Sequence, residues 1–288
     1  MAAALEPTTA VTVGRSGRTG GILLRLVTAA ALIPLIVWLV TGAHPWLFTA
    51  LVCAVVGLAL WELLRLFEQA GQPTYRRLGV ALGVVLAASF EAGARRGDLT
   101  PALLALVLAL GAVLAAPVAL GRPAAAAPAV TLLALLWVGW LFGHALLLHR
   151  APHGEELVLV LVGVTWVGET AAYVVGSALG RQRLAPTISP AKTVEGAVAQ
   201  FLASVATAVG LAAWMLPDWP AGWAAGAGAL LGLTGQLGDL AESAVKRSAG
   251  VKDAGGLLPG HGGVLDRVDG LLFNVPALYY YVRLGGWA

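Results

Sequence analysis

Long apolar stretches alternate with short polar segments along almost the whole chain. A helix of about 20 residues rises about 30 Å, which matches the thickness of the hydrocarbon core of a bilayer. By this length criterion we predict about nine transmembrane helices, over residues 22–41, 46–67, 78–94, 101–120, 129–149, 156–179, 194–216, 221–240 and 268–283. The pattern therefore predicts an all-α polytopic integral membrane protein.

The composition supports a membrane fold. Of the 288 residues, 59% are hydrophobic and only 11% are charged, whereas charged residues make up about 25% of a typical soluble domain. A soluble fold cannot hide so much apolar surface, so lipid must solvate much of the protein. The net charge of +3 is small and belongs to membrane flanks, which argues against nucleic-acid binding. The single cysteine and the unpaired histidines favour neither an intrachain disulfide nor a zinc site.

The basic residues predict an orientation. With the N-terminus inside, most of the 18 Lys and Arg residues fall on the cytoplasmic side, and the exceptions are Arg95, Arg96, Arg150 and Arg283. Because cytoplasmic loops carry the excess of Lys and Arg, this orientation is favoured. We therefore expect a multi-pass protein of the inner (plasma) membrane whose polar C-terminal region faces the cytoplasm.

Three regions follow from these patterns. Residues 1–20 are polar and carry Arg15 and Arg18, which predicts a disordered basic N-terminal arm. Residues 21–155 are predicted to form N-terminal transmembrane helices, and residues 156–288 a C-terminal catalytic transmembrane region. The span at 221–240 is rich in Gly and Ala, which favours close packing inside a helix bundle.

Charged residues concentrate between positions 239 and 269. Ionisable groups near membrane depth are costly, so such a cluster indicates a functional site. Asp239, Glu242, Ser243 and Lys246 are spaced i, i+3, i+4 and i+7, which places them on one helix face. The alternative for this face is an exposed helix with a Glu242–Lys246 ion pair.

A glycine-rich loop follows at residues 250–263. Glycine lets backbone N–H groups approach an anion closely, so this loop suits a triphosphate, with Lys252 as a point charge. An ordinary flexible loop is the alternative. Beyond it, Asp266 and Asp269 are three residues apart and can share a cation such as Mg²⁺, although Asp266 is also well placed as a helix N-cap.

A second polar segment spans residues 181–195. Ser189, Lys192 and Thr193, with two prolines, indicate a structured loop that binds an anionic lipid headgroup, or else a basic loop attracted to the inner leaflet. Just upstream, Glu169 lies inside a predicted span. Because a buried unpaired carboxylate is expensive, we expect Glu169 to face the bundle interior or an active-site cavity.

The polar positions carry a resemblance. The chain reads Ser243-Ala-Val-Lys246-Arg247, Lys252-Asp253-Ala-Gly255, Pro259-Gly260-His261-Gly262-Gly263 and Asp266-Arg267-Val-Asp269. This series, together with the stretch from Ile188 to Gly196, resembles the phosphatidate cytidylyltransferase (CDP-diacylglycerol synthase) family over residues 165–285. The chain departs from that family's usual residues at four positions, with Glu169 in place of Asp, Ala191 in place of Lys, Ala241 in place of Phe and Gly270 in place of Ser.

The resemblance implies a reaction between CTP and phosphatidic acid that yields CDP-diacylglycerol and pyrophosphate. It implies Mg²⁺ bound by Asp239 and Asp266, with a second cation left open. The implied catalytic residues are Lys246, Arg247, Asp253, Arg267 and Asp269, and the implied substrate-binding residues are Ser189, Lys192, Thr193, Ser243, Lys252 and His261. The expected partners are the two substrates and the lipid bilayer; a homodimer is left open.

Two other functions remain open from the residues alone. A CTP-dependent kinase of lipid alcohols such as polyprenol or phytol could use the same cation and phosphate-binding groups. A transporter of phosphorylated metabolites could use the basic residues as an anion site, but transporters usually place charges near mid-membrane in repeated, broken helices. Here the charges cluster at one end of the C-terminal spans.

Overall fold

A computed structural model describes residues 33–42, 44–121, 125–255 and 262–286. Its helices are α1 (33–41), α2 (Pro45–Gln69), α3 (Arg76–Arg96), α4 (Thr100–Ala119), α5 (Ala126–Ala134), α6 (Leu141–Arg150), α7 (Gly154–Leu179), α8 (Val194–Met215), α9 (Ala221–Ser248) and α10 (Leu265–Leu284). A π-helical segment, Leu135–Trp140, joins α5 and α6 into one continuous helix. The predicted arm at 1–20 and most of the first span at 22–41 lie outside the described residues.

Six helices within the described ranges are long and apolar enough to cross a membrane. They are Trp46–Gln69, Arg76–Arg96, Thr100–Ala119, Ala126–Arg150, Gly154–Leu179 and Val194–Met215. This confirms the predicted all-α polytopic class, while the count of nine stays a prediction. Helices α9 and α10 are not among the six, since α9 is rich in glycine and ends in charged residues, and α10 begins with them.

Local sequence signals account for several helix ends. Proline occupies the first turn of α2 and of α4, where its missing N–H costs no hydrogen bond. Gly97 ends α3 in the left-handed region at φ 75°, which glycine adopts without strain. Thr193 begins α8 as an N-cap, because its hydroxyl oxygen accepts a hydrogen bond from Gly196 N at 3.1 Å.

Helix α9 packs between α8 and α10 through its glycines. A Cβ on Gly228 would lie 2.7 Å from the carbonyl oxygen of Ser204 on α8, and a Cβ on Gly235 would lie 3.0 Å from the amide of Asn274 on α10. A Cβ on Gly238 would collide with the carbonyl oxygen of Asp269. The absence of side chains therefore lets three helices approach closely, as the Gly- and Ala-rich span predicted.

Buried hydrogen bonds join the same C-terminal helices. The amide of Asn274 on α10 donates to Thr165 Oγ1 on α7 at 2.9 Å and accepts from Thr234 Oγ1 on α9 at 2.5 Å. Asn274 is only 1% exposed, so these bonds replace those that water would make. They fix how α7, α9 and α10 sit against one another beside the candidate site.

An ion cluster near the end of α3 accounts for two of the four basic residues that the predicted topology places outside the cytoplasm. Glu91 is buried and accepts a hydrogen bond from Arg95 Nε at 2.9 Å. The guanidinium of Arg150, at the end of α6, also contacts this carboxylate. Arg95 and Arg150 therefore neutralise a buried carboxylate of the protein.

The polar segment after α7 forms a small antiparallel hairpin. Its strands are β1 (Arg183–Ala185) and β2 (Ser189–Thr193), and β2 leads directly into α8. The structured loop expected at 181–195 is thus a two-stranded element in an otherwise helical fold, within the described residues. The hairpin lies at the end of the bundle that carries the charged cluster.

Candidate active site

Three carboxylates converge where α9 meets α10. Asp239 and Glu242 lie on one face of α9, and Asp269 lies in the first turns of α10. One oxygen from each group lies within 4.8 Å of the other two. The close approach at Gly238 brings Asp269 to this distance, because no side chain separates the two helices there.

The burial of these carboxylates favours a cation. The Glu242 side chain has no solvent exposure, and the one ammonium that pairs with it among the described residues is that of Lys246. Asp269 is 7% exposed and one of its oxygens accepts from Gly270 N at 2.7 Å. Like charges this close repel unless a cation lies between them. The cluster therefore fits a hard divalent cation such as Mg²⁺, which prefers carboxylate oxygens.

Lys246 lies between two carboxylates one turn further along α9. Its Nζ is 2.5 Å from Glu242 Oε2 and 2.8 Å from Asp266 Oδ1. Burial favours the neutral amine, but the carboxylates of Glu242 and Asp266 outweigh it and raise the pKa of Lys246. Glu242 lies just after the predicted span at 221–240. Burial and the nearby Asp269 carboxylate raise its pKa. Lys246 thus remains a cation that partly neutralises the cluster.

Asp266 lies beside this cluster, since Lys246 joins it to Glu242, and it also binds backbone amides. It accepts hydrogen bonds from Gly263 N at 2.8 Å and from Ala254 N at 3.0 Å. Burial alone would raise the pKa of Asp266, but the bonds from Lys246 and from the Gly263 amide hold that pKa below its usual value. The structure groups Asp239 with Glu242 and Asp269, whereas Asp266 accepts hydrogen bonds from backbone amides in the two described parts of the loop, at Ala254 and just before α10 at Gly263.

A cavity of about 200 Å³ opens beside the carboxylates. Lys192, from strand β2, projects into it, and its Nζ lies 2.7 Å from Asp239 Oδ2. The cavity is also lined by Glu169 and Tyr173 from α7, by Gln200 from α8 and by Gln236 from α9. Glu169 thus faces a cavity inside the bundle, as expected from the free-energy cost of exposing an unpaired carboxylate to lipid.

The other predicted polar residues divide between organising and exposed positions. Arg247 donates to the carbonyl oxygens of Ile188 at 3.2 Å and Val251 at 3.1 Å, so it ties the hairpin to the loop. Ser243 is buried on the same helix face as Lys246, Ser189 is half-buried at the start of β2, and Thr193 is a buried helix cap. Lys252, Asp253 and Arg267 are exposed around the site, and His261 lies outside the described residues.

Two residues of the site were not predicted as ligands or supports. Glu242 was assigned only to a polar helix face, although its buried oxygens make it the most enclosed member of the cluster. Glu62, on α2, was not singled out, yet it is 7% exposed and accepts a hydrogen bond from Leu265 N at 2.8 Å. An acidic residue inside the predicted span 46–67 was a usable signal, by the argument that drew attention to Glu169.

The sequence profile of the cytidylyltransferase family matches residues 23–285. The chain belongs to the cytidylyltransferase family. The match extends over the N-terminal helices as well as the carboxylate cluster, so it covers more of the chain than the polar motifs do.

Named relatives agree with this family. The chain is similar to a protein named phosphatidate cytidylyltransferase from Synechocystis sp., with 46% identity over 135 residues, which are 46% of this chain and 45% of that protein. A protein of the same name from Brucella suis biovar 1 is 49% identical over 131 residues, 45% of this chain and 48% of that protein. The chain thus spans about half the length of these curated relatives.

A third relative extends the similarity. Uncharacterized protein YnbB from Escherichia coli (strain K12) is 37% identical over 188 residues, which are 62% of this chain and 60% of that protein. The relatives of this chain therefore include a protein whose name gives no reaction, as well as proteins named phosphatidate cytidylyltransferase.

Proposed function

We propose that this protein is a phosphatidate cytidylyltransferase, a nucleotidyltransferase that converts CTP and phosphatidic acid into CDP-diacylglycerol and pyrophosphate for phospholipid biosynthesis. The observation that carries the proposal is the buried cluster of Asp239, Glu242 and Asp269, with Lys192 and Lys246 in contact with it. Membership of the cytidylyltransferase family and the names of two relatives support the choice of substrates.

The three carboxylates would hold a divalent cation, with Mg²⁺ as the natural candidate. Asp266, which the motif spacing also suggested as a ligand, would act through the loop and Lys246 that it binds. A bound Mg²⁺ would neutralise part of the negative charge on the triphosphate of CTP. An additional cation beside Asp253 or Asp269 remains part of the proposal.

The chemistry requires positioning and charge neutralisation more than proton transfer. A phosphate oxygen of phosphatidic acid forms a bond to the α-phosphorus of CTP, while the bond from that phosphorus to the bridging oxygen breaks and pyrophosphate departs. The attacking phosphate is already anionic near neutral pH, so no protein base is needed. The exposed Lys252 and Arg267, with Arg247, would bind the departing phosphates, and His261 would organise the loop.

Lys192 has a separate role in this scheme. Its ammonium pairs with Asp239, and both residues line the cavity. An anionic lipid headgroup beside Ser189 and Lys192 would attract that ammonium, and Asp239 would then be available as one of the carboxylates that would hold the cation. The hairpin would thus bind the headgroup of phosphatidic acid and leave the acyl chains in the bilayer. Thr193 would support this role as the cap that fixes where β2 ends.

The proposed setting is the inner membrane, with the site facing the cytoplasm, where CTP is available. The six membrane-capable helices support a multi-pass protein, and the bias of Lys and Arg toward the charged end supports this orientation. A nine-helix count, a homodimer and the lack of nucleic-acid binding remain predictions. The residues at 1–20 would be a cytoplasmic arm, and 156–288 the catalytic region.

Labelled CTP distinguishes the proposed reaction from its alternatives. Purified protein, phosphatidic acid and Mg²⁺ should transfer label from the α-phosphate of CTP to lipid and release pyrophosphate. A lipid-alcohol kinase would instead transfer the γ-phosphate and release CDP, and a transporter would leave CTP intact.

Variants then test the site itself. Asp239→Asn and Asp269→Asn should abolish turnover in folded protein, because each removes a charge from the cation cluster. Asp218→Asn is the matched control, since Asp218 is exposed in the α8–α9 connection, and it should react like the unaltered protein. Either cluster variant retaining normal turnover would contradict the proposal.

A further inference from the structure

A buried carboxylate from the N-terminal helices reaches the start of α10. Glu62 lies on α2, 203 positions before Leu265 in the chain, and its Oε2 accepts a hydrogen bond from Leu265 N at 2.8 Å. Leu265 is the first residue of α10, the helix that carries Asp266 and Asp269. A side chain from a distant helix therefore caps the helix on which part of the candidate site is built.

The same carboxylate contacts both described ends of the glycine-rich loop. A Cβ on Gly263 would lie 2.6 Å from Glu62 Oε2, and a Cβ on Gly255 would collide with Glu62 Oε1. Real Cβ atoms are essentially never found at such distances, so a side chain at either position would force the Glu62 carboxylate to shift. Glu62 thus lies between the two described ends of the loop, at Gly255 and Gly263, and both ends are close to α2.

Capping in this manner restrains the direction of α10. The first N–H groups of a helix lack partners within the helix and carry partial positive charge, so a carboxylate there is bound strongly. Asp266 follows Leu265 directly and Asp269 lies about one turn further on, so the position of Leu265 N determines where both carboxylates point. Small displacements at a reacting centre cost large factors in rate.

We propose that Glu62 is a positioning residue for catalysis, which caps α10 from α2 and holds the loop so that Asp269 and Asp266 are correctly placed. This inference rests on the proposed function and assigns a role in it to the N-terminal helices. Glu62 acts through α10 and the loop and does not need to touch either substrate.

Two substitutions at position 62 test the role. Glu62→Gln keeps the shape of the side chain and removes its charge, while Glu62→Ala removes the cap. Because a hydrogen bond to a charged group is replaced, we expect the turnover number of Glu62→Gln to fall about tenfold. The Mg²⁺ concentration for half-maximal activity should rise in both variants, whereas KM for phosphatidic acid should change little, since the headgroup contacts lie on the hairpin.

A second pair of variants tests the contact by rescue. Gly263→Ala places a methyl group against the Glu62 carboxylate and should lower turnover. Adding Glu62→Asp withdraws the carboxylate by one methylene and should restore part of the lost activity. Glu68→Gln is the matched control, because Glu68 is an exposed carboxylate on the same helix that pairs with Arg76, and it should leave turnover and Mg²⁺ dependence unchanged.

The outcomes separate this role from a general effect on folding. The midpoint of thermal unfolding, with and without Mg²⁺, is measured for every variant and does not depend on any reaction. Normal turnover per folded molecule and normal Mg²⁺ dependence in Glu62→Gln would overturn the inference, even with reduced stability. Failure of Glu62→Asp to improve Gly263→Ala would also overturn it. Lack of CDP-diacylglycerol formation by the unaltered protein would instead overturn the proposed function.

Discussion

Replacing Lys246 by methionine should destabilise the protein by removing the only described ammonium that contacts both Glu242 and Asp266. The side chains of Lys246, Glu242 and Asp266 are 12%, 0% and 8% exposed, respectively. Methionine retains the length and flexibility of the lysine stem without its charge. Lys246→Met therefore leaves two buried carboxylates uncompensated while changing the packing little.

The magnitude follows from the cost of breaking a buried ion pair. Removing one partner of such a pair destabilises a protein by about 3–5 kcal/mol, since an uncompensated charge stays buried. The pKa of Asp266 is held low by Lys246 in the unaltered protein, so the stabilisation is present at neutral pH and is lost as pH falls through that pKa. In the variant both carboxylates can be neutralised by protons. The deficit should consequently be larger at pH 8 than at pH 5.

Unfolding of the detergent-solubilised protein in EDTA provides the assay. Lys246→Met should unfold at a lower temperature than the unaltered protein, and added Mg²⁺ should recover part of the loss by supplying positive charge to Glu242. The double variant Lys246→Met with Glu242→Gln should be more stable than Lys246→Met, because the most buried unpaired charge is gone. Arg65→Met, at an exposed position on α2, is the control for loss of a basic residue.

Equal stability of Lys246→Met and the unaltered protein in EDTA at pH 8 would refute this reasoning. So would a double variant that is no more stable than Lys246→Met, because the loss would then not come from the uncompensated Glu242 carboxylate.

Three further predictions concern helix packing and charge. Gly270→Ala should lower turnover, since its Cβ would lie 2.9 Å from Glu169 Oε1. Adding Glu169→Asp should restore part of the lost turnover. If turnover did not recover in the double variant, the loss could not be attributed to this contact. Gly228→Leu should lower the free energy of unfolding by at least about 1–3 kcal/mol through overpacking. Gly210→Leu is the control, because a Cβ at Gly210 has no neighbour within 4 Å, and it should be tolerated. Equal stability of the two variants would contradict this prediction. Glu91→Gln should lower the unfolding temperature by leaving two arginines without their buried carboxylate, and an unchanged temperature would show that the cluster contributes nothing.

The helical class of the fold follows from hydropathy, but helix ends do not. The predicted span at 221–240 continues as a helix to Ser248, because the polar residues beyond Leu240 form one helix face and need no lipid. A length criterion detects only the apolar part. The hairpin within 181–195 was expected as a structured loop, but pairing between β1 and β2 depends on packing that single residues do not display.

The candidate site was predictable as a region and less so as a set of ligands. Spacing placed Asp239, Glu242 and Lys246 on one face, and the structure has them there. Spacing alone could not distinguish Asp266 from Asp269, because the free amides around the first turn of α10 decide which carboxylate binds backbone. Glu62 required the tertiary contact between α2 and α10, which no local pattern contains.

Two departures from the family pattern also acquire a physical meaning. Glu169 and Gly270 are 101 positions apart in sequence, yet the structure places the Glu169 carboxylate over the missing side chain of Gly270. The Glu169 side chain, which is one methylene longer than the usual Asp, occupies the space that the missing side chain of Gly270 leaves free. Read separately along the sequence, each position showed only an unusual residue.

The central claim is that carboxylates from α9 and α10 bind a cation that supports transfer of CMP to phosphatidic acid. Mg²⁺-dependent formation of CDP-diacylglycerol from α-labelled CTP, measured for the unaltered protein and for Glu242→Gln, tests it most directly. We expect labelled lipid and pyrophosphate from the unaltered protein, and loss of both in folded Glu242→Gln. Equal turnover of the two proteins, or turnover unaffected by EDTA, would contradict the account.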